Sequence, residues 1–175
     1  MEENLHKYAV IDTETTIFQN GNSFSDCNKL CLVGVRTNAL NEIIQVEYDS
    51  TEPYAEALNH IRDLIGSVGT LVLFNAKFDL NWLARYGINV SPLHHTIFDC
   101  QLAEFILGRQ RPAYPSLDYC LTKYDLGSKL HNINDKYWSA GIDTPDIPLD
   151  ELTEYLQRDL ELTDALYHAQ LGCLS

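Results

Sequence analysis

The stretch Tyr8–Thr16, with the sequence YAVIDTETT, decides how the rest of the chain is interpreted. Its first four residues suit a buried strand, and they run directly into two acids, Asp12 and Glu14, spaced two residues apart. Because successive side chains of a strand alternate between its two faces, these two acids point to the same side. Carboxylates held close together repel each other unless a cation lies between them. The stretch therefore predicts a metal site at the end of a strand, against the simpler interpretation of a solvated loop after an edge strand.

Two further acids occur downstream with matching placement. Asp79 follows the apolar strand predicted for Thr70–Phe74, in a helix for which Asn75 suits the N-cap position. Asp159 lies four residues after Tyr155 in the predicted last helix, so the two share one face. Taken singly, Asp79 is better explained as an acid that complements the helix dipole, and Asp159 as a solvated helix residue. Taken together, the four carboxylates form a set of hard oxygen ligands, which suit Mg²⁺ or Mn²⁺ and not zinc.

Size and composition predict one domain over residues 1–175. The 175 residues are 45% hydrophobic, which is enough for one substantial core. No apolar run approaches the roughly 20 residues that cross a bilayer, and the N-terminus has no signal-peptide pattern. The five cysteines lack the spacing of a disulfide framework, so we expect reduced thiols, no membrane and a cytoplasmic location. A zinc site made of Cys27, Cys31, His94 and His95 is disfavoured because the spacing has no paired second half.

The net charge of −13 argues against strong affinity for long duplexes, because such affinity depends on lysine and arginine. An acidic chain can still act on nucleic acid, since metal ions held by carboxylates can themselves contact the phosphate.

The periodicity predicts a mixed architecture. Short β-rich runs at Leu30–Val35 and Ile43–Val46 predict an antiparallel meander with the first strand, and Thr96–Phe98 a last short strand. The segment Lys129–Asp146 is predicted to be irregular. Helices are predicted over residues 54–65, 76–86, 99–107 and 116–121, and from 148–150 to about 170.

Three motifs in order carry a family resemblance. Asp-x-Glu after the first strand, Asn-x-x-x-Asp at a strand-to-helix junction and Tyr-x-x-x-Asp in the final helix resemble the motifs of the DEDD superfamily of 3′–5′ exonucleases. The resemblance spans Tyr8–Leu166, and DTET and NAKFD look most like proofreading domains of family A DNA polymerases. Glu154 stands where a sister subclass has histidine, so the chain resembles the tyrosine branch.

The resemblance implies an α/β, ribonuclease H-like fold: a mixed sheet of about five strands, the first three antiparallel, flanked by helices. It also implies two-metal hydrolysis that releases nucleoside 5′-monophosphates, with two divalent ions, Mg²⁺ or Mn²⁺. The metal ligands would be Asp12, Glu14, Asp79 and Asp159. Tyr155 would orient the attacking water, because a phenol with a pKa near 10 keeps its proton at neutral pH.

The same resemblance suggests substrate contacts. Thr13 and Thr15 would hold the terminal nucleotide, with Asn75 beside them. Phe18 would stack on the last base, or else pack as an ordinary aromatic residue.

A loop later in the chain has two interpretations. Arg109 and Arg111, together with Tyr114, either contact the phosphate backbone or lie in a solvated loop.

The implied substrate is a single-stranded or frayed 3′ end of DNA, acted on by a free-standing exonuclease. A separate DNA polymerase is a partner consistent with this role. An exoribonuclease of the same fold and a catalytically degenerate nucleic-acid-binding or polymerase-binding module stay open as alternatives. The exoribonuclease would differ in how it treats the 2′-hydroxyl and not in its metal ligands.

Overall fold

A computed structural model describes residues 7–174. Three short 3₁₀ turns, at Phe18–Asn20, Trp138–Ala140 and Thr144–Asp146, accompany the main elements. The strands are β1 (Tyr8–Thr15), β2 (Leu30–Arg36), β3 (Asn41–Gln45), β4 (Thr70–Leu73) and β5 (Thr96–Asp99). The helices are α1 (Ala55–Gly66), α2 (Ala76–Arg85), α3 (Cys100–Leu107), α4 (Leu117–Tyr124), α5 (Asn132–Lys136) and α6 (Leu149–Leu174).

The five strands form one mixed sheet in the order β3-β2-β1-β4-β5. β1 pairs antiparallel with β2, and β2 pairs antiparallel with β3. β4 runs parallel to β1, and β5 runs parallel to β4. The predicted α/β architecture, with an antiparallel meander followed by parallel strands, is confirmed.

The alternation of β1 separates two apolar layers. Ala9 and Ile11 belong to the layer that contains α1 and α2. Val10 belongs to the opposite layer, with α3, α4 and α6. Because side chains two apart share a face, Asp12 and Glu14 continue the Val10 side, towards α6. Both sheet faces are covered by helices, which explains why the central strands are apolar on both sides.

A glycine lets α6 approach the sheet closely. Gly34 of β2 pairs directly with Asp12 of β1. A Cβ atom at Gly34 would lie 2.7 Å from Leu160 Cδ1 and 3.2 Å from Leu156 Cγ. The missing side chain therefore leaves the space in which α6 packs beside Asp12.

The prediction that Lys129–Asp146 is irregular is wrong. The segment contains α5 and two of the 3₁₀ turns. Ile133 and Tyr137 are buried against α6, together with Ile147 just beyond the segment. The elements are too short for a periodic pattern, so tertiary packing stabilises them.

Several element ends differ by a few residues from the predictions. α4 continues past Leu121 to Tyr124, and α6 continues past Gln170 to Leu174. Such shifts are expected, because the ends of helices depend on local capping and packing.

All five cysteines are free thiols, and Cys31, Cys100 and Cys120 are buried. No helix in the described part of the chain, residues 7–174, is long and apolar enough to cross a membrane.

Candidate active site

The structure brings all five predicted catalytic residues to one edge of the sheet. Asp12 and Glu14 lie near the end of β1, and Asp79 lies in the first turn of α2, just after β4. Tyr155 and Asp159 lie on α6. Because β1 and β4 are parallel, their carboxyl ends meet at the same edge, where open α/β sheets bind their ligands.

Burial and mutual repulsion raise the pKa values of three of these acids. Burial, and then the charge of Asp159, raise the pKa of Asp12 to about 7. Burial, followed by the charge of Asp12, raises the pKa values of Glu14 and Asp79 well above their usual range. The cluster therefore holds negative charge at a clear energetic cost, which a bound cation would relieve.

Thr13 connects β1 to α2. Its side chain points away from Asp12 and Glu14, and its hydroxyl donates a 2.6 Å hydrogen bond to Asp79 Oδ1. This bond opposes the rise in the Asp79 pKa and fixes the orientation of the carboxylate. The hydroxyl hydrogen of Thr13 is thus directed at Asp79, and a contact of the Thr13 backbone or hydroxyl oxygen with the terminal nucleotide stays a prediction.

Lys129 lies inside the acidic cluster, a position that the sequence did not reveal. Its Nζ is 2.8 Å from Asp159 Oδ2 and 5.4 Å from the centre of the Tyr155 ring. Burial raises the pKa of Asp159, and the Lys129 ammonium opposes that rise. A single lysine in a segment without periodicity gives no sequence signal of such a contact.

Tyr155 is held by an aromatic neighbour. Its ring centre is 5.6 Å from that of Trp138, and the two planes meet at 89°, the edge-to-face geometry that aromatic pairs favour. Burial, and then the charges of Glu14 and Asp159, raise the pKa of its phenol. The phenol is therefore protonated at neutral pH and can act as a hydrogen-bond donor.

The chemistry of these side chains fits a hard divalent cation. Four carboxylates supply only oxygen atoms, and Asp159 Oδ1 is buried without a hydrogen-bond partner. Within residues 7–174, however, no three acidic, histidine or cysteine side chains are arranged as one ready coordination group. An ion held beside Asp159 would share the charge of this carboxylate with Lys129, whose Nζ lies 2.8 Å from Asp159 Oδ2.

A cavity of about 400 Å³, here called the Glu14 cavity, opens beside the acids. Phe78 and Trp138 form aromatic walls that the sequence analysis missed, although each is adjacent to a motif residue in sequence or in space. The Trp138 indole donates to the Thr144 hydroxyl, which donates to the Thr15 carbonyl. The lining residues are Thr13, Glu14, Thr15, Thr16, Ile17, Asn20, Gly21, Phe78, Asn134, Trp138 and Ser139.

Gly21 closes one side of the Glu14 cavity. Its backbone has a φ of +68°, and a Cβ atom would lie 2.6 Å from Thr15 Oγ1. Only glycine combines this left-handed conformation with so close an approach.

Phe18 stands nearby but does not line the Glu14 cavity. It is 51% exposed, on the 3₁₀ turn that leads to Asn20 and Gly21. Stacking of Phe18 on a terminal base stays a prediction.

Asn75 does not cap α2 as predicted. Its backbone is left-handed, with φ 63° and ψ 58°, and its side chain makes no capping hydrogen bond. The Asp99 carboxylate instead accepts hydrogen bonds from the backbone N–H groups of Asn75 and Ala76, at 3.1 and 2.9 Å. An acid 24 residues further along the chain has taken the role of the local cap.

A second cavity, of about 390 Å³, lies on the other side of the acids and is here called the Asp159 cavity. Asp12, Lys129 and Asp159 line it from one side. Asn75 and Gln101 line it from the ends of β4 and β5. Glu14 lines the first cavity, and Asp12 and Asp159 line the second, so the acidic cluster borders both open spaces.

Comparison with known proteins identifies the family. A family model described as 3′-5′ exonuclease matches residues 1–170. None of the curated proteins compared with the sequence matches it.

Solved structures share the fold at low sequence identity. Brucella melitensis NrnC bound to pGG superposes with a TM-score of 0.66 and 19% identity, covering 98% of this chain and 76% of that one. The same protein with bound Mg²⁺ superposes with a TM-score of 0.63 and 20% identity, covering 98% of this chain and 76% of that one. Trypanosoma brucei RNase D superposes with a TM-score of 0.69 and 12% identity, covering 94% of this chain and 57% of that one.

A polymerase also contains this fold. The family B DNA polymerase of Pyrobaculum calidifontis gives a TM-score of 0.64 at 14% identity, covering 94% of this chain and 24% of that one. These structures confirm the expected ribonuclease H-like fold, and the family match covers nearly the whole sequence. The chain therefore belongs to the DEDD-type 3′–5′ exonuclease family.

Proposed function

We propose that this protein is a metal-dependent exonuclease that removes nucleoside 5′-monophosphates from the 3′ end of DNA. The observation that carries the proposal is that the four carboxylates and Tyr155 meet at one edge of the sheet, where Glu14 lines one cavity and Asp12 and Asp159 line another. The Glu14 cavity is within the size range of small-ligand sites, and its aromatic walls suit a terminal base.

The acidic residues supply the cation site. Asp12, Glu14, Asp79 and Asp159 would hold two divalent ions, Mg²⁺ or Mn²⁺, which activate water and stabilise the leaving oxygen when bound. Thr13 orients the Asp79 carboxylate through its hydroxyl. Lys129 brings a positive charge to the side of Asp159, where it can face the substrate phosphate.

Tyr155 acts on the attacking water. Its protonated phenol donates a hydrogen bond that aligns the water with the phosphorus, while Trp138 restricts the ring. Thr15, which lines the Glu14 cavity, and Asn75, which lines the Asp159 cavity, are proposed to contact the nucleotides on either side of the scissile bond.

RNA is the second candidate substrate. The structures that share the fold over nearly the whole chain include one bound to pGG and an RNase D. A DNA enzyme and an RNA enzyme of this fold differ in contacts to the 2′-hydroxyl.

Digestion of matched single strands tests the proposal. Labelled DNA, RNA and mismatched duplex of the same sequence would be incubated with Mg²⁺ or Mn²⁺, and the products resolved at single-nucleotide level. We expect mononucleotides to be released stepwise from the 3′ end. The polymer that is degraded faster is the preferred substrate. Asp12→Ala and a chelator serve as controls. Binding of either polymer without cleavage would instead indicate a binding module.

A further inference from the structure

An apolar groove lies beside α3 on the same edge of the molecule as the acids. It has a volume of about 390 Å³ and is here called the α3 groove. Tyr114 at its rim is 88% exposed, and Leu102 is 55% exposed. Exposed apolar residues that form a continuous surface usually mark a binding site. The groove is lined by Asp99, Gln101, Leu102, Phe105, Ala113 and Tyr114.

Two arginines close to this groove in sequence, Arg109 and Arg111, have no side-chain partner in the described part of the chain. Eight of the chain's twelve lysines and arginines have a side chain in an ion pair or hydrogen bond. Within residues 7–174, the structure shows no such side-chain partner for Lys7, Lys77, Arg109 and Arg111. Arg109 and Arg111 lie in the short loop that leads from α3 to Tyr114. In a chain with a net charge of −13, two free arginines beside an exposed tyrosine are suited to an anionic, aromatic ligand.

The loop that carries these residues is firmly structured. Gln110 N donates to the Phe105 carbonyl at 2.7 Å, and Gly108 N donates to the Glu104 carbonyl at 2.8 Å. A Cβ atom at Gly108 would lie 2.4 Å from the Arg111 carbonyl oxygen. The loop thus folds tightly back on α3 and presents its arginines from a defined backbone.

The α3 groove continues into the active site. Gln101 lines both the α3 groove and the Asp159 cavity, and its side-chain amide donates to the Pro115 carbonyl at 2.9 Å. Ser116, the next residue, lines the Asp159 cavity and caps α4. A chain leaving the acids on this side would therefore pass directly along Tyr114.

We propose that the α3 groove binds the single strand on the 5′ side of the scissile bond, with bases stacked on Tyr114 and phosphates paired with Arg109 and Arg111. The terminal nucleotide occupies the Glu14 cavity, so the upstream strand leaves through the Asp159 cavity towards the α3 groove. This inference rests on the proposed function for its direction along the strand. Stacking accepts every base, so the groove contributes affinity that increases with length and depends little on sequence.

Affinity as a function of substrate length tests the groove. Binding of labelled DNA and RNA strands of two to eight nucleotides would be measured by fluorescence anisotropy. Ca²⁺ would replace Mg²⁺ in this experiment, because the readout is binding and does not depend on cleavage. We expect Tyr114→Ala to weaken binding of the eight-nucleotide strands by about 5- to 150-fold, the range that one lost base–aromatic stack produces. Tyr114→Phe keeps the aromatic face and should restore the affinity.

The salt dependence tests the arginines separately. For the double variant Arg109→Ala/Arg111→Ala, the negative slope of log affinity against log salt concentration should become less steep by about 1.4, as expected for two lost phosphate contacts to a single strand. Lys7→Ala is the matched control, because Lys7 is also exposed and has no side-chain partner among residues 7–174, but it precedes β1 at the opposite edge of the sheet. It should keep the wild-type slope.

Two results would overturn the inference. In the first, Tyr114→Ala and the double arginine variant would bind eight-nucleotide strands as tightly as wild type. In the second, wild type would sediment as a dimer, and Tyr114→Ala would dissociate the dimer without changing the affinity for the strand. The α3 groove would then be an interface between two copies of the chain. Because binding is measured without cleavage, a failure of the proposed hydrolysis would appear separately, as intact strands in Mg²⁺.

Discussion

Tyr155 offers a choice between two chemical roles, general base or water-orienting donor. Its raised pKa favours the second, because a phenol that is harder to ionise is a poorer base at neutral pH. The edge contact with Trp138 limits its motion without involving the hydroxyl. The hydroxyl lies beside Lys129 and Asp159, within the acidic cluster where the attacking water would be held.

Tyr155→Phe should slow hydrolysis by about 10- to 1,000-fold, the scale of one lost catalytic hydrogen bond. Substrate affinity should change little, because the ring and its contact with Trp138 stay in place. The rate measured across pH should keep the wild-type rise at a lower plateau. A flat profile in the variant would show that the tyrosine itself transfers the proton.

Asp12→Ala and Asp159→Ala should both abolish hydrolysis at saturating Mg²⁺, because each removes a proposed ligand. Their effects on stability should differ. Removing Asp12 relieves repulsion and should raise the melting temperature in chelator, whereas removing Asp159 leaves Lys129 partly buried without its partner and should lower it. Activity and melting curves would be compared with Glu161→Ala, an exposed acid on the same helix. Activity within tenfold of wild type in either variant would contradict the proposed metal site.

At the scale of elements, the contact between β2 and α6 determines where Tyr155 and Asp159 stand. Gly34 lies opposite Asp12, under Leu156 and Leu160. The absence of a side chain at Gly34 lets Leu156 and Leu160 of α6 pack closely against β2, next to Asp12.

Gly34→Ala should therefore lower both stability and activity. The added methyl group would push against Leu160, and overpacking of this kind typically costs about 1–3 kcal/mol of unfolding free energy. A shifted α6 would misplace Tyr155 and Asp159, so the turnover rate should fall more than the substrate affinity. Denaturant unfolding and steady-state rates measure the two effects. Gly66→Ala, at a position with no atom within 4 Å of the added Cβ, is the control and should lower neither stability nor activity. A Gly34→Ala variant with wild-type stability and activity would refute the packing argument.

For the whole molecule, the acidic site should make stability depend on pH. The pKa of Asp12 is about 7 in the folded protein, against about 3.9 in an unfolded chain. Between these values the folded state binds more protons, so the free energy of unfolding must fall as pH rises from about 4 to about 7. Glu14 and Asp79 act in the same direction.

Thermal unfolding in chelator should therefore show a lower melting temperature at pH 8 than at pH 5, by about 2–4 °C for each kcal/mol lost. Asp12→Asn imitates the protonated form and should reduce the difference. Added Mg²⁺ should raise the melting temperature more at pH 8 than at pH 5, because ionised carboxylates bind it better. Equal pH dependence in wild type and Asp12→Asn would show that Asp12 does not contribute.

The sequence alone predicted the features that depend on neighbours along the chain. The alternation in Tyr8–Thr16 predicted that Asp12 and Glu14 share a face, and helical spacing predicted the same for Tyr155 and Asp159. The order of apolar runs predicted the meander and the parallel strands that follow it. Each of these rests on repeat distances of two or about 3.6 residues, which are properties of the backbone.

Only the tertiary structure decided which distant residues complete the site. Lys129 reaches Asp159, Trp138 packs on Tyr155, and Asp99 replaces Asn75 as the cap of α2. The short α5 was missed because packing against α6, and not its own propensity, makes it a helix. These contacts join segments that no periodic pattern connects, and they form only because folding of the sheet and α6 brings those segments to one edge.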